Sequence, residues 1–236
     1  MMSQHDTTIN RRAIMLAGAA LAVGACSRSS STLRSATPLS APTLPPKGRL
    51  PSVPAMVRQD APNAVFSTVS PALLGKALAS LDRHGSRIKH RDRIAIVDFS
   101  APSSDARLHF LDVVGGKASR LLVAHGSGSD PRHTGYLERF SNAFGSNASS
   151  EGAYLTQDYY VGKHGRSQRL IGLDATNNNA LDRAVVVHSA WYANEDMIRA
   201  HGKLGRSQGC FAVGENKLDD VFSFLGQGRM IFAARS

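Results

Sequence analysis

Past residue 92 the apolar residues come in short runs, each broken by stretches rich in Gly, Ser or Asn, a spacing that suits strands and leaves room for few helices. Ile94, Ile96 and Val97 mark a strand over residues 93–99, and Leu108 and Phe110 mark another over 107–114. Gly115-Gly116 then turns the chain into a third, over 119–124. Further runs lie at 153–160, 168–173, 183–189 and 230–234, the third of these carrying Ala184-Val185-Val186-Val187. Ser70-Pro71 is a helix start, with a capping Ser and a Pro at the first helical position. Leu73, Leu74, Ala77, Leu78 and Leu81 follow on one helical face, and Gly85 is the expected stop. Residues 195–201 and 216–225 read as short helices. The expected fold is mainly β, a small sandwich or barrel of mixed strands with a few peripheral helices. The irregular stretch 126–152, dense in Gly, Ser and Asn, has the length of a functional loop.

The first 26 residues read as an export signal, with Arg11-Arg12 as the basic start and an apolar stretch over 13–22. That stretch is too short to span a bilayer as a stable helix. Asn10-Arg11-Arg12-Ala13-Ile14-Met15 is a loose twin-arginine pattern without the usual Phe-Leu. Val23-Gly24-Ala25-Cys26 resembles a bacterial lipobox, which makes Cys26 the expected lipidation site and membrane attachment point. Ordinary cleavage near Ala25 and a Cys26–Cys210 disulfide are the alternatives. Ser27 in place of an Asp favours the outer membrane of a Gram-negative cell. Residues 27–54, rich in Ser, Pro, Thr and Ala, cannot bury enough surface to fold and form a tether. Residues 55–236 have the length of one domain. The formal charge of +10 fits an anionic partner such as the cell wall. Export and the lack of any nucleic-acid motif argue against nucleic acid.

Cys210 is the only cysteine after Cys26. In an exported chain, a thiol without a partner points to chemistry rather than to a disulfide. A thiol is mostly protonated at neutral pH, so it needs a base, and His188 at the end of an apolar strand is the candidate. Gly209 permits close backbone approach, so amides beside Cys210 are candidate oxyanion donors. Arg206 either holds a substrate carboxylate or makes a surface ion pair. His125 either lines the substrate pocket or sits in a turn, and Trp191 and Tyr192 are core or pocket wall. The spacings of His125, His164, His188 and His201 match no usual ligand pattern, so neither metal nor cofactor is expected.

His188-Ser189, then Gly205-Arg206-Ser207-Gln208-Gly209-Cys210, resembles the signature of the YkuD-like L,D-transpeptidases, especially the murein L,D-transpeptidase catalytic domain group. The likeness extends through Val123-Ala124-His125-Gly126-Ser127-Gly128-Ser129, Tyr160-Val161-Gly162-Lys163-His164-Gly165 and Leu170-Ile171-Gly172-Leu173, most of residues 120–234. It implies a β-sandwich-like catalytic fold acting on peptidoglycan stem peptides in the periplasm. Cys210 would be the nucleophile, His188 its base, Ser189 the orienting residue, and the amides of Gly209 and Cys210 part of the oxyanion hole. His125, Arg206, Ser207, Gln208 and Trp191 would contact substrate. The product would be a 3→3 cross-link formed through a thioester. The alternatives are an L,D-carboxypeptidase or hydrolase on the same stems, and a catalytically silent wall-binding lipoprotein. Gln208 departs from the family pattern, which has His there, as do Phe211-Ala212 and the longer His-to-Cys gap. A papain-like protease is disfavoured because its Cys precedes its His. Oligomeric state is not specified.

Overall fold

The computed structural model describes residues 66–236, so the expected signal, the lipidation site at Cys26 and the tether over 27–54 lie outside the described residues. Helix α1 (Pro71–Arg83) starts where Ser70 Oγ accepts the Leu73 N–H at 3.2 Å. It ends at Arg83, with Gly85 directly past the capping residue, where the sequence places the stop. His84 caps it, and the Gly85 N–H returns to the Asp82 carbonyl. Leu73, Leu74, Ala77 and Leu81 are buried, as their spacing demands.

Eight strands form one sheet: β1 (Arg93–Asp98), β2 (Leu108–Asp112), β3 (Lys117–Leu121), β4 (Gly152–Gly162), β5 (Gly165–Gly172), β6 (Val186–Ser189), β7 (Phe211–Val213) and β8 (Met230–Ala234). Their order is β3-β2-β1-β8-β4-β5-β6-β7. The β1–β8 and β6–β7 pairs are parallel and the rest antiparallel, a mixed sheet. Helices α2 (Glu195–His201) and α3 (Leu218–Leu225) complete the elements.

Central strands β1 and β8 carry unbroken apolar runs because both their faces are covered. Ile94 and Ile96 pack with α1, whereas Ala95 and Val97 enter the other core with Val187, Phe211 and Val213 from the far end of the sheet. Strands remote in order share that core because the sheet curls on itself. A bridge from Ala124, just past edge strand β3, to Ala212 in edge strand β7 links the two edges. The mainly β sandwich or barrel expected from the strand spacing is what the chain adopts. Strand β7 escaped the sequence reading because three residues are too few to display a period.

Candidate active site

The β6–β7 pairing sets the candidate nucleophile and the candidate base on one sheet face. Parallel register sets Val187 beside Phe211 and His188 beside Ala212. Val187 and Phe211 point into the core, so His188, Ala212 and, two residues back, Cys210 share the opposite face. Two residues 22 apart in sequence thus stand on one face of neighbouring parallel strands, offset by two positions in register.

Cys210 is a free thiol, almost fully buried. Its Sγ donates to the Ala184 carbonyl at 3.6 Å. Ala184 itself sits at φ 54°, a left-handed conformation costly for a residue with a Cβ. It is held there by two turn bonds, from its own N–H to Leu181 and from the Val185 N–H to Ala180, both 2.9 Å. Burial pushes the thiol pKa up, while the Val186 amide and the charges of Lys163 and Arg183 pull it back in part.

The His188 ring is buried, and its Nδ1 lies 2.9 Å from the Ser189 carbonyl. A carbonyl only accepts, so Nδ1 carries the proton and Nε2 presents a lone pair. Burial pushes the imidazole below its ordinary range, and His164 and Lys163 add repulsion against the Ser189 bond. The ring of His164 lies on that of His188, with centroids 4.4 Å apart and planes 21° apart. A buried thiol and, on the same sheet face, a neutral imidazole whose Nε2 is an acceptor are the two groups that general-base activation of a sulfur nucleophile requires.

A cavity of about 150 Å³ opens on the sulfur. Its walls include Asn147 and Phe144 from the long loop, Tyr160, Lys163 and His164 from the β4–β5 hairpin, and Arg183, Gln208 and Cys210. A larger depression of about 300 Å³, lined by Asn194, Glu195, Arg199 and Glu215 among others, contains no thiol.

Of the residues expected to contact substrate, only Gln208 lines this cavity. His125 is buried between Arg107, whose Nη2 lies 2.7 Å from Nδ1, and Asp130, whose carboxylate lies 3.3 Å from Nε2. Arg206 donates to the carbonyls of Asp130 and Pro131, which fixes the loop instead of facing the thiol. Ser207 is part of the same scaffold. Its N–H donates to the His125 carbonyl at 2.9 Å, and its Oγ donates to the Cys210 carbonyl at 2.7 Å. That Oγ also accepts the Gly209 N–H at 3.1 Å, so this amide is already committed and is no open oxyanion donor. Gly209 adopts φ 108°, and a Cβ there would meet the Ala148 carbonyl at 2.7 Å; the loop shape therefore requires glycine. Trp191 is 65% exposed and packs edge-on to Tyr192. Burial, then the charge that Cys210 carries when ionised, pushes the Tyr192 hydroxyl up to about 12.

Tyr160, Lys163 and His164 stand in the sequence only as part of the family likeness, with His164 also weighed as a metal ligand, and Arg183 and Asn147 have no assigned role. The hairpin turn between Gly162 and Gly165 falls between the expected strands at 153–160 and 168–173. Its delivery to Cys210 depends on the β5–β6 pairing of Ser167 with His188. Among the described residues, no group of three or more His, Cys, Asp or Glu side chains is placed to hold a metal ion.

Residues 66–234 match the family model described as the L,D-transpeptidase catalytic domain. The chain belongs to that family. No curated protein sequence matches it significantly. Solved structures with partial likeness include L,D-transpeptidases from Mycobacterium smegmatis (11% identity, TM-score 0.37), Stackebrandtia nassauensis (12%, 0.35) and Mycobacterium tuberculosis H37Rv (16%, 0.34). Each alignment covers 61% of this chain and, respectively, 58%, 56% and 58% of the solved one. The chain thus spans less than two-thirds of the length of these structures.

Proposed function

We propose that this chain is a periplasmic peptidoglycan L,D-transpeptidase that works through a Cys210 thioester. The observation that supports it most is the sharing of one sheet face by Cys210 and His188, with Nδ1 of the imidazole tied to Ser189 and Nε2 left as acceptor. In this reading Nε2 takes the thiol proton as sulfur attacks the carbonyl of the L-centre of the stem's diamino acid. The Cys210 amide is the remaining oxyanion candidate beside the nucleophile. Collapse breaks the C–N bond, and the imidazolium returns its proton to the departing amine of the terminal D-alanine. The side-chain amine of a second stem then attacks the thioester, passes a proton to His188 and restores the thiol. The product is a 3→3 cross-link; water in place of the amine makes the reaction a hydrolysis. His164, stacked on His188, acts as a positioning residue. Export, with lipid attachment at Cys26, would hold the domain near its substrate.

A carbapenem supplies a strained acyl donor for the test. Intact-mass measurement is expected to show one adduct on the wild-type chain and none on Cys210→Ala. A folded protein with a free thiol and no adduct would sink the thioester reading.

A further inference from the structure

The cavity at Cys210 is lined by two cations, Lys163 and Arg183, and by no carboxylate. The two differ in what they are free to do. Both terminal nitrogens of Arg183 are engaged by the protein: Nη1 donates to the Ser141 carbonyl at 3.0 Å, and Nη2 to the Ala148 carbonyl at 2.6 Å and to Ser146 Oγ at 3.2 Å. Its guanidinium shapes the cavity wall. Lys163 stands in the turn between Gly162 and Gly165. Two acids that the hairpin and its neighbour α3 offer are engaged elsewhere, Asp158 with Arg169 at 2.6 Å and Asp219 with Arg166 at 2.7 Å. Among the described residues, Lys163 makes no ion pair. Its charge nevertheless reaches the reactive groups, acting on Cys210, His188 and His164.

An unpaired ammonium on the wall of a nucleophile's cavity is a site for an anion. The proposed reaction puts one within reach. The leaving D-alanine carries a free carboxylate, one residue (about 3.8 Å of chain) beyond the scissile carbonyl. We propose that Lys163 binds the terminal carboxylate of the acyl donor and so restricts donors to stems that end one residue after the bond to be broken. This assignment rests on the acyl-transfer reading above. The same hairpin then serves both partners of the reaction. His164 steadies the base, and Lys163 measures the length of the substrate.

The diamino acid of the stem bears a carboxylate of its own, so the test has to separate two sources of negative charge. Release of D-alanine or D-alaninamide is followed for the full chain with three synthetic stem tetrapeptides. The first is the free acid, the second has its C-terminus as a carboxamide, and the third has the diamino acid's side-chain carboxylate amidated. Wild type is expected to prefer the first over the second by at least about tenfold in kcat/KM, with the third close to the first. Lys163→Met is expected to bring the first-to-second ratio near one, with an unchanged thermal melt, since the side chain is exposed. A Lys163→Met variant that slows the first two peptides equally would overturn the assignment. So would a wild-type preference that follows the side-chain carboxylate. If the wild type turns over all three at similar rates, acyl transfer stands and the subsite falls. If none reacts at Cys210, the acyl-transfer reading falls and takes the subsite with it.

Discussion

Burial moves the two reactive groups in opposite directions, the Cys210 thiol up and the His188 imidazole down. Both directions favour the neutral pair, thiol and imidazole, over a standing thiolate–imidazolium pair. The charges facing His188 are those of His164 and Lys163, both on the β4–β5 hairpin, and both disfavour its protonation. A base of depressed pKa is deprotonated earlier as pH rises. The acid limb of Cys210 acylation is therefore expected below the ordinary histidine value of 6.5, with a flat rate across neutrality. A pH profile of carbapenem acylation checks this, and a limb above that value would contradict it. Cys210 and His188 stood out in the sequence because a thiol far from the other cysteine, with a strand-end His upstream, already constrains the chemistry. His125 and Arg206 were misplaced because nothing in their local sequence reveals which carbonyl or carboxylate the fold sets against them.

Among the elements, the β4–β5 hairpin has the largest functional reach. A register shift between Thr156 and Tyr159 falls near the middle of β4, and such irregularities increase local twist. Beyond it the paired strands run on to the turn that carries Lys163 and His164. The ring of His164 then covers one face of His188. Replacing it with Ala removes that support and is expected to lower kcat about tenfold, equivalent to about 1.4 kcal/mol, with little change in KM. His164→Phe keeps an aromatic face and is expected to recover most of the loss. Steady-state kinetics on the three proteins decide the matter; a Phe variant as poor as Ala would rule out stacking as the cause. The two strands of the hairpin follow from their apolar runs at 153–160 and 168–173, but the position of the turn over the site does not.

At the scale of the whole molecule, a buried polar network ties the start of β2 to the long loop. Arg107 is buried, donates to the carbonyls of Val123 and Ala101, lies over the Phe99 ring, and reaches His125, which in turn meets Asp130. Asp130 accepts from the Thr134 and Gly135 amides at 2.7 and 2.8 Å. Since Arg107 donates to Nδ1, the proton of His125 is on Nε2, directed at Asp130. Burial, then repulsion from Arg107, pushes His125 down to about 4 from an ordinary 6.5, against the pull of Asp130. Between those values the unfolded chain binds a proton that the folded chain refuses. The stability involved is complete above pH 6.5 and is lost as pH falls to about 4, a change of about 3 kcal/mol. Urea unfolding across that range is expected to show this slope, and His125→Gln to flatten it. A wild-type curve without the slope would mean that the network opens and admits the proton at little cost.

Local sequence determined the parts of this protein. The capped amphipathic helix α1, the short strands, the glycine-bounded turns and the candidate thiol at Cys210 all follow from spacing and side-chain type, which act over a few residues. Tertiary structure alone decided which parts meet. The three-residue strand β7 exists because β6 pairs with it in parallel, and that pairing puts Cys210 and His188 on one face. The curl of the sheet closes its edges through Ala124 and Ala212. It also buries His125 in a scaffold and leaves Lys163 on the wall of the cavity that Cys210 lines. Periodicity specifies the face on which a side chain lies, whereas the neighbours across that face are set by strand order, which no local pattern encodes.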